Sequence, residues 1–400
     1  MAVNTGIAGN NFLTSFNTTV PKLFITAETD DVTEFDQVTL KHWREEGFDV
    51  TYVPMGKGGK AYIEELKSIP NRLPLGEYFA IIAYGDAAAI VLEHFRRPSN
   101  KLCGLVAYYP SSIPDPNNQF PIGTKVLVHL AGEEVGVTRA PEVLGIQGKR
   151  RTVTRAVPKG SIPGGRLQLA YPSYSYEGAE PGFAEHDLPE YNKIAGRLSW
   201  GRSLDTIRKA FKVEVDLERV WEAHTELEFV TKDAHKTMAT MVANPYVNHV
   251  PTLTGGIGRK DLLRFYDEFF IPNNPPSTRM KLLSRTIGAD KVVDEMYFAF
   301  EHTQEVPWML PNVPPTNKTV EVALVSVVCI RGGKLYHEHI YWDQASVLVQ
   351  IGLLDPKLIP ESSGLKGKLD RLPVAGAESV RKVMDEESEQ SNELLDAWWE

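Results

Sequence analysis

The chain has 400 residues, of which 42% are hydrophobic and 24% are charged, and this predicts a globular protein with two domains. The formal net charge of -9 argues against a nucleic-acid partner, which usually requires a basic face. No apolar run is long enough to span a membrane and the N-terminus does not resemble a signal peptide, so we expect a cytoplasmic protein without a membrane partner. Cys103 and Cys329 lie in separate apolar runs and are expected to be buried free thiols.

Residues 22 to 211 alternate between predicted strands and helices. Strands are expected at 22–26, 49–53, 79–83, 104–108 and 125–130, and helices at 35–46, 62–66, from the end of the third strand to Phe95, and at 190–211. Residues 135–168 are rich in glycine, proline and basic residues and are expected to form an irregular insertion. The rhythm predicts a mostly parallel sheet covered by helices.

The pattern changes after Phe211. Helices are expected at 217–229, 234–242 and 261–269, the last introduced by a turn at Thr254-Gly255-Gly256, and strands at 291–301, 318–330 and 334–341. Helices followed by a meander predict an α+β fold with a boundary near residue 213. The domains are therefore expected at 1–212 and 213–360, followed by a polar, acidic tail at 361–400 whose Leu394, Leu395, Trp398 and Trp399 could dock on a partner.

The turn after the strand at 79–83 has the setting of a nucleophile elbow but contains neither Ser nor Cys. Around this turn the chain resembles the dienelactone hydrolase family over roughly residues 22–211. The resemblance rests on Ala83-Tyr84-Gly85, Tyr108-Tyr109-Pro110, residues 126–134, Tyr174-Ser175-Tyr176-Glu177-Gly178 and Gly182-Phe183-Ala184. It implies an α/β-hydrolase fold.

The same resemblance places the family's catalytic triad on residues that cannot perform it. The nucleophilic cysteine falls on Gly85, the acid on or near Glu134, and the histidine on Pro181. Two of the three roles are vacant, so nucleophilic catalysis of that type is not available and a non-catalytic scaffold is expected. The alternative is other chemistry at Asp86, Glu133 or Glu134. His186 is expected to be a surface residue.

The densest group of polar residues follows Lys334. If residues 334–344 form a strand, its side chains alternate between two faces. One face would carry His337, His339, Tyr341 and Asp343, and the other Tyr336, Glu338, Ile340 and Trp342. The first face is expected to line a wet pocket. The second is expected to be covered by the first domain or by another subunit, so we expect a homodimer.

Residues 213–355 resemble the SnoaL-like polyketide cyclases of the nuclear-transport-factor-like superfamily. The resemblance rests on His302-Thr303, Pro314-Pro315-Thr316-Asn317-Lys318, Gly333-Lys334, Trp342-Asp343-Gln344-Ala345 and Leu348-Val349-Gln350-Ile351-Gly352-Leu353. The family's usual Pro-x-Thr-Gly ends in Asn317 here. The resemblance implies a cone-shaped α+β fold with a cystatin-like curved sheet.

The resemblance also implies acid/base catalysis without a metal or an organic cofactor. The family's acid/base aspartate falls on Asp343, and His302 or His339 would donate a hydrogen bond to a developing enolate. The residues expected to bind substrate are His249, Tyr341, His337 and Trp308. His249 could sit at the mouth of the cone, and Trp308, in a loop between two strands, could wall or lid the pocket. The expected activity is cyclisation or isomerisation of a small to medium carbonyl or lactone-like metabolite, in secondary metabolism or ring breakdown.

Several alternatives stay open from the sequence alone. The pocket could hydrolyse a lactone or an epoxide, or the protein could be a non-catalytic ligand-binding or dimerisation module. Asp343 could simply cap the helix that follows it. His337 and His339 could bind a metal, although the sequence places no clear third ligand beside them.

Overall fold

The computed structural model describes residues 20–139, 142–143, 146–147, 149–162 and 164–391. The chain divides into two compact units, Met1–Val215 and Asp216–Glu400. The tail residues expected to dock on a partner, from Leu394 to Trp399, lie outside the described residues. In the part of the chain that the structure describes, no helix has the length and apolar character needed to cross a membrane.

The first unit is built on a six-stranded sheet in which all neighbouring strands are parallel, in the order β11-β6-β4-β3-β1-β2. The strands of this unit are β1 (Lys22–Thr26), β2 (Asp49–Tyr52), β3 (Phe79–Tyr84), β4 (Leu102–Tyr108), β5 (Ser112–Pro114), β6 (Lys125–Leu130), β7 (Glu134–Arg139), β8 (Glu142–Val143), β9 (Ile146–Gln147), β10 (Arg151–Ala156) and β11 (Ser173–Ser175). Every residue of β3 and β4 is buried, as expected of a sheet covered on both faces.

Helices cover both faces of this sheet. They are α1 (Gln37–Glu45), α2 (Gly59–Ser68), α3 (Gly85–His94) and α4 (Lys193–Phe211). Leu23 of β1 belongs to the core cluster that contains Trp43 of α1 and Leu204 of α4. Its neighbour Phe24 belongs to the opposite cluster, which contains Val91 of α3. The predicted parallel sheet covered by helices is confirmed.

The expectation of an irregular insertion at 135–168 is wrong for part of that stretch. The stretch contributes β7 and β10 to a second sheet, whose strand order is β10-β7-β5. Val135 and Val137 of β7 are buried, and their alternation with exposed neighbours gives the strand one apolar face that joins the core with Ile113. The alternation of buried and exposed residues is short, and the many glycines and charged residues around it favoured an irregular segment in the sequence analysis.

The second unit contains a mixed six-stranded sheet in the order β13-β12-β17-β16-β15-β14. Its strands are β12 (Met241–His249), β13 (Thr254–Ile257), β14 (Arg279–Ile287), β15 (Lys291–Glu301), β16 (Thr319–Arg331) and β17 (Lys334–Trp342). β12 and β17 are parallel, and the other pairs are antiparallel. The predicted α+β class is confirmed, but the expected turn at Thr254-Gly255-Gly256 is part of β13, and β12 and β14 were not predicted. The edge strand β14 is mostly exposed and so lacks an apolar pattern.

The helices of the second unit are α5 (Leu217–Thr225), α6 (Ala234–Ala239), α7 (Gly258–Arg264), α8 (Gln344–Ile351) and α9 (Glu378–Met384). Both α5 and α7 continue as π-helical turns, at Glu226–Thr231 and Phe265–Phe270. Such π turns are often found at functional sites. Residues from the helices and the sheet share one apolar core.

Part of the predicted tail packs on this unit. Val380 of α9 is fully buried, and Arg381 forms an ion pair with Glu321 of β16 at 3.2 Å. The Ser346 hydroxyl donates a hydrogen bond to the Gly376 carbonyl at 2.8 Å. Residues up to the end of α9 are therefore ordered by burial and hydrogen bonds and do not form a loose extension.

Candidate active site

The strand β17 turns a different face to the interior than the sequence predicts. Glu338, Ile340 and Trp342 are buried, and the last two belong to the apolar core. Tyr341, on the opposite face, is 42% exposed, and His339 shares its face. The expected orientation is wrong because burial of an isoleucine and a tryptophan removes more apolar surface from water than burial of imidazoles. Helices of the same unit cover the Ile340 and Trp342 face, so it gives no argument for a dimer.

His337 and His339 share the outer face of β17, as predicted. Their rings stack with centroids 4.9 Å apart and an interplanar angle of 22°. His337 is buried, and its ring also lies 5.3 Å from that of Tyr336. Among the described residues, the side chains that could hold a metal ion together are those of three other residues, and neither His337 nor His339 is one of them.

Asp343 follows β17 and caps α8. Its carboxylate accepts a hydrogen bond from the Ala345 backbone N–H at 2.9 Å. The residue is exposed. The cap that the sequence left open as an alternative is therefore present, and the geometry places Asp343 outside the buried interior where a general base would be shielded from water.

A cluster that the sequence did not predict lies inside the second unit, and it consists of His224, Glu228 and Glu338. The exposed fractions of the three side chains are 0%, 4% and 4%. The His224 Nε2 atom lies 3.0 Å from Glu228 Oε1 and 3.3 Å from Glu338 Oε1. α5 supplies the histidine, the π turn after it the first glutamate, and β17 the second. We call these three residues the interior cluster.

The electrostatics of the interior cluster follow from its burial. Burial alone would lower the pKa of His224, but the two carboxylates outweigh it and raise that pKa to about 10. Burial raises the pKa of Glu338, and the neighbouring imidazole of His224 only partly opposes this effect. Burial, the charges of both carboxylates and a hydrogen bond to Glu228 hold the pKa of Tyr266 well above its usual range. The cluster therefore combines a basic imidazole with a carboxyl group whose charged form is disfavoured by burial.

Residues around the cluster fix the position of the imidazole. Trp221 stacks on His224, with centroids 5.6 Å apart at 18°, and its indole N–H donates to Asp294 at 2.7 Å. Arg285 donates two hydrogen bonds to the same carboxylate, at 2.7 and 2.9 Å. These contacts tie α5 to the sheet, because Trp221 is on the helix and Asp294 is on β15.

His249 lies in an apolar part of the same interior. Its ring centroid is 5.0 Å from that of Trp308, 5.7 Å from Phe270 and 5.9 Å from Trp342. Burial lowers its pKa to about 3, so the imidazole is neutral, and its Nδ1 atom is buried without a hydrogen-bond partner. The sequence placed His249 at the mouth of a cone, whereas the structure buries it at the end of β12.

Trp308 was expected to wall or cover the pocket from a loop, and it is instead 2% exposed within the core. Its indole N–H donates to the Asn274 side chain at 3.1 Å. Its backbone carbonyl accepts hydrogen bonds from the hydroxyls of Thr252 and Thr254, both at 2.8 Å. Trp308 therefore forms part of the wall around His249 and does not move freely as a lid.

His302 is buried directly after β15, and its ring contacts Phe300 and Thr316. The Thr316 backbone N–H points to His302 Nδ1 at 3.3 Å, so Nδ1 accepts and the ring proton resides on Nε2. Burial lowers the pKa of this histidine. The buried Nε2 atom has no hydrogen-bond partner, so the neutral ring keeps one unused donor.

The structural comparisons concern the C-terminal part of the chain. Neither a protein-family model nor a curated protein sequence matches the chain. Among solved structures, it is similar to TsrD from Streptomyces laurentii, at 15% identity and a TM-score of 0.30, over 35% of this chain and 100% of that one. It is also similar to a protein from Jannaschia sp. CCS1 assigned to the SnoaL-like polyketide cyclases, at 15% identity and a TM-score of 0.29, over 36% and 98% of the two chains.

A third similar structure is an NTF2-like protein from Burkholderia thailandensis E264. The identity is 14% and the TM-score 0.27, over 36% of this chain and 100% of that one. Likenesses at this level assign no activity to the chain. The fold is defined by the strand order and pairing given above.

In the first unit, the vacant nucleophile position is occupied by a carboxylate. Gly85 opens α3 with φ +53°, and Glu28 accepts a hydrogen bond from the next backbone N–H, that of Asp86. A Cβ atom on residue 85 would overlap the Glu28 carboxylate. A helix N-terminus attracts negative charge, which explains why Glu28 lies there. The site of the predicted elbow is therefore closed by the chain itself.

Gly85→Ala is expected to lower the free energy of unfolding of the first unit by about 1–2 kcal/mol, because alanine disfavours the left-handed backbone and displaces Glu28. Urea unfolding of the full chain would measure this. Combining it with Glu28→Ala should recover only part of the loss, since the backbone penalty remains. A Gly85→Ala protein as stable as the wild type would contradict this explanation.

The other positions of the predicted triad do not supply its chemistry. Glu134 is exposed at the start of β7, and Pro181 is exposed near Gly132. A carboxyl group that the sequence did not single out is Glu185, which accepts a hydrogen bond from the Tyr109 hydroxyl. Burial raises the pKa of Glu185 to about 7.

His186, expected to be a surface residue, is partly exposed and also contacts the buried Asp36. Its backbone N–H and its Nδ1 atom lie 2.9 and 2.8 Å from the buried Asp36 carboxylate, which also caps α1. Burial alone would raise the pKa of Asp36, but hydrogen bonds from His186 and Thr39 outweigh it and lower that pKa to about 2. The pair therefore joins the start of α1 to the loop before α4.

The lowered pKa of Asp36 predicts a loss of stability in acid. Its charged form should contribute roughly 2 kcal/mol of unfolding free energy above about pH 4, lost as pH falls toward 2. The stability difference between the wild type and Asp36→Asn should therefore be largest near pH 6 and shrink at pH 3, as measured by urea unfolding. The exposed Asp49→Asn is the control. A pH-independent difference would contradict the assignment.

Proposed function

We propose that the second unit is an acid/base enzyme of the cyclase or isomerase type that acts on a small to medium carbonyl or lactone-like metabolite. The proposal rests mainly on the surroundings of the Glu338 side chain. Its Oε1 atom is buried without an aligned hydrogen bond, although it lies 3.3 Å from His224. A buried carboxylate oxygen that lacks an aligned donor destabilises the fold, so its presence calls for an explanation, and a function is one. Proton transfer to and from a bound substrate is such a function.

The proposed reaction uses groups of the interior cluster and its neighbour Tyr266. The Glu338 carboxylate takes a proton from the carbon next to the substrate carbonyl, and the electrons of that C–H bond move to the carbonyl oxygen. The hydroxyl of Tyr266, which neighbours both carboxylates, donates a hydrogen bond to the resulting enolate oxygen. If the enolate is conjugated with a C=C bond, return of the proton from Glu338 to the far carbon gives an isomer. If the enolate carbon instead attacks a second carbonyl, a ring closes and the resulting alkoxide takes the proton back from Glu338.

The apolar walls of the interior support a partly apolar substrate. Phe270, Trp308 and Trp342 surround His249, and aromatic surfaces of this kind suit ring-shaped or unsaturated metabolites. We assign substrate binding to His249, whose Nδ1 lacks a partner, and a second hydrogen-bond donor to His302. The other predicted catalytic residues, Asp343 and His339, lie outside this interior and receive no role in the proposal.

Exchange of substrate protons with solvent tests the proposal even while the product is unidentified. The full chain would be incubated in D2O with a panel of cyclic ketones, 1,3-dicarbonyl compounds and lactones, and loss of α-proton signals followed by NMR. We expect exchange above the buffer rate for at least one compound class. Incorporation of labelled oxygen from water into a product would instead indicate hydrolysis, and exchange that is unchanged in Glu338→Gln would exclude the proposed base.

A further inference from the structure

The interior cluster has the composition and spacing of a metal site. The ligand atoms of His224, Glu228 and Glu338 all lie within 4.8 Å of one another. Metal bonds of about 2.0–2.2 Å in a tetrahedral arrangement place neighbouring ligand atoms roughly 3.3–3.5 Å apart. The distances from His224 Nε2 to the two carboxylate oxygens, 3.0 and 3.3 Å, are close to that spacing. The two carboxylate oxygens lie within 4.8 Å of each other, so rotation of the glutamate side chains would bring all three ligand atoms onto one ion.

One proton on His224 does not satisfy both carboxylates. The Nε2 atom is hydrogen-bonded to Glu228, while Glu338 Oε1 lies near the same nitrogen without a hydrogen bond. Glu338 is 3% exposed, so water gives this oxygen little compensation. A charged carboxylate left in this state is costly, and a protonated imidazole with two carboxylates still leaves one negative charge buried. One imidazole shared by two carboxylates leaves Glu338 Oε1 without an aligned hydrogen bond, and a divalent cation between the three side chains would bind both carboxylates.

The Nδ1 atom of His224 makes the kind of outer hydrogen bond that is common in metal-binding histidines. The Thr240 hydroxyl donates to the Thr237 carbonyl at 2.7 Å, so it acts as an acceptor toward His224 Nδ1, 2.6 Å away. The proton of a neutral imidazole therefore resides on Nδ1. This leaves the lone pair of Nε2 directed at the two carboxylates, and such an outer hydrogen bond fixes the ring tautomer in many metal sites.

We infer that His224, Glu228 and Glu338 bind one divalent transition-metal ion of the zinc type. A neutral imidazole and two carboxylates carry two negative charges, which a divalent ion neutralises. The nitrogen ligand favours zinc and its neighbours over magnesium and calcium, which prefer oxygen ligands. Three protein ligands leave at least one position open on a four-coordinate ion.

The ion would also regulate the proposed reaction. A metal bound to Glu338 occupies the carboxylate oxygen that is assigned to take the substrate proton, so zinc is expected to inhibit. This consequence rests on the proposed function, whereas metal binding does not. The two proposals can therefore fail separately. Zinc binding without any proton exchange would support the metal site and contradict the proposed function.

The test is zinc binding by the tag-free, chelator-treated full chain, measured by titration calorimetry and by metal content after dialysis. We expect one zinc per chain that depends on the cluster, and no comparable binding of magnesium. Glu338→Gln and His224→Gln should each weaken binding at least about tenfold, since loss of even an outer hydrogen bond to a ligand typically costs that much. The matched controls are Glu295→Gln on β15 of the same sheet and the exposed His235→Gln, which should bind as the wild type does.

Two results would overturn the inference. The first is a wild-type chain that binds no zinc. The second is zinc binding that persists unchanged in Glu338→Gln, which would show that the ion is bound elsewhere. Glu338→Gln keeps the shape of the side chain, so thermal unfolding is expected to show a folded protein. A cobalt-loaded wild type with d–d absorption that Glu338→Gln lacks would confirm the ligand by a second signal.

Discussion

Glu338→Gln is expected to reduce the rate of substrate proton exchange at least about 100-fold, the lower end of what a positioned general base contributes. The amide has nearly the same shape as the carboxylate but cannot take a proton. Because the variant removes a buried carboxylate with an unpartnered oxygen, the protein should stay folded and its thermal stability should not fall. The rate would be measured by NMR in D2O with a compound that the wild type exchanges.

Asp343→Asn is the matched comparison, because Asp343 is the residue on which the family resemblance places the base. Asparagine caps helices about as well as aspartate, so the start of α8 should be preserved. The exchange rate is expected to stay within about twofold of the wild type, since the exposed Asp343 carboxylate is not shielded from water as a general base. A large loss in Asp343→Asn together with a small one in Glu338→Gln would return the catalytic role to Asp343.

Trp308→Ala is expected to destabilise the second unit by roughly 3–5 kcal/mol, the usual range for removal of a large buried aromatic side chain. The ring packs against His249, Phe298 and Trp342, with centroids 5.0 to 5.5 Å away. The change also leaves the buried Asn274 amide without its indole partner. Scanning calorimetry of the full chain should show a lower transition temperature.

The control for Trp308→Ala is Leu253→Ala in the loop between β12 and β13, where the side chain is 83% exposed and little change is expected. Trp308→Phe should lose less than Trp308→Ala because it keeps most of the apolar volume. If Trp308→Ala changes the transition by no more than Leu253→Ala does, the indole is not part of the packed wall. Its role would then return to the movable lid that the sequence suggested.

The strands were the most predictable part of the fold. The runs that became β1, β3, β4 and β6 are short and mostly apolar, a pattern typical of strands buried on both faces of a sheet. Strands with exposed faces could not be found in this way. β14 is exposed along most of its length, so its sequence carries no periodic signal.

The interior cluster was difficult to predict because its members come from separate elements. His224 and Glu228 are four residues apart on a predicted helix, which is the signal that could have suggested a pair. Glu338 was assigned to the wrong face of β17, since a strand pattern identifies two faces but not which of them meets the helices. The two histidines of β17 led the sequence analysis to place the pocket on their face, which lies outside the apolar core.

The first unit shows the reverse case, in which a missing residue was informative. The absence of a nucleophile at Gly85 and of a histidine at Pro181 follows directly from the sequence. What fills the position does not, because Glu28 reaches it from the end of β1 on a neighbouring strand. Likewise, the Asp36–His186 pair joins residues 150 positions apart, beyond what local patterns record.

The most direct test of the central claim is a crystal structure of the protein with a compound identified by the exchange assay. We predict that the compound lies in the interior of the second unit, with its reacting carbon beside Glu338 and its oxygen within hydrogen-bond distance of Tyr266. A compound bound on the outer face of β17, in contact with His339, Tyr341 or Asp343, would contradict the claim and restore the site that the family resemblance implies.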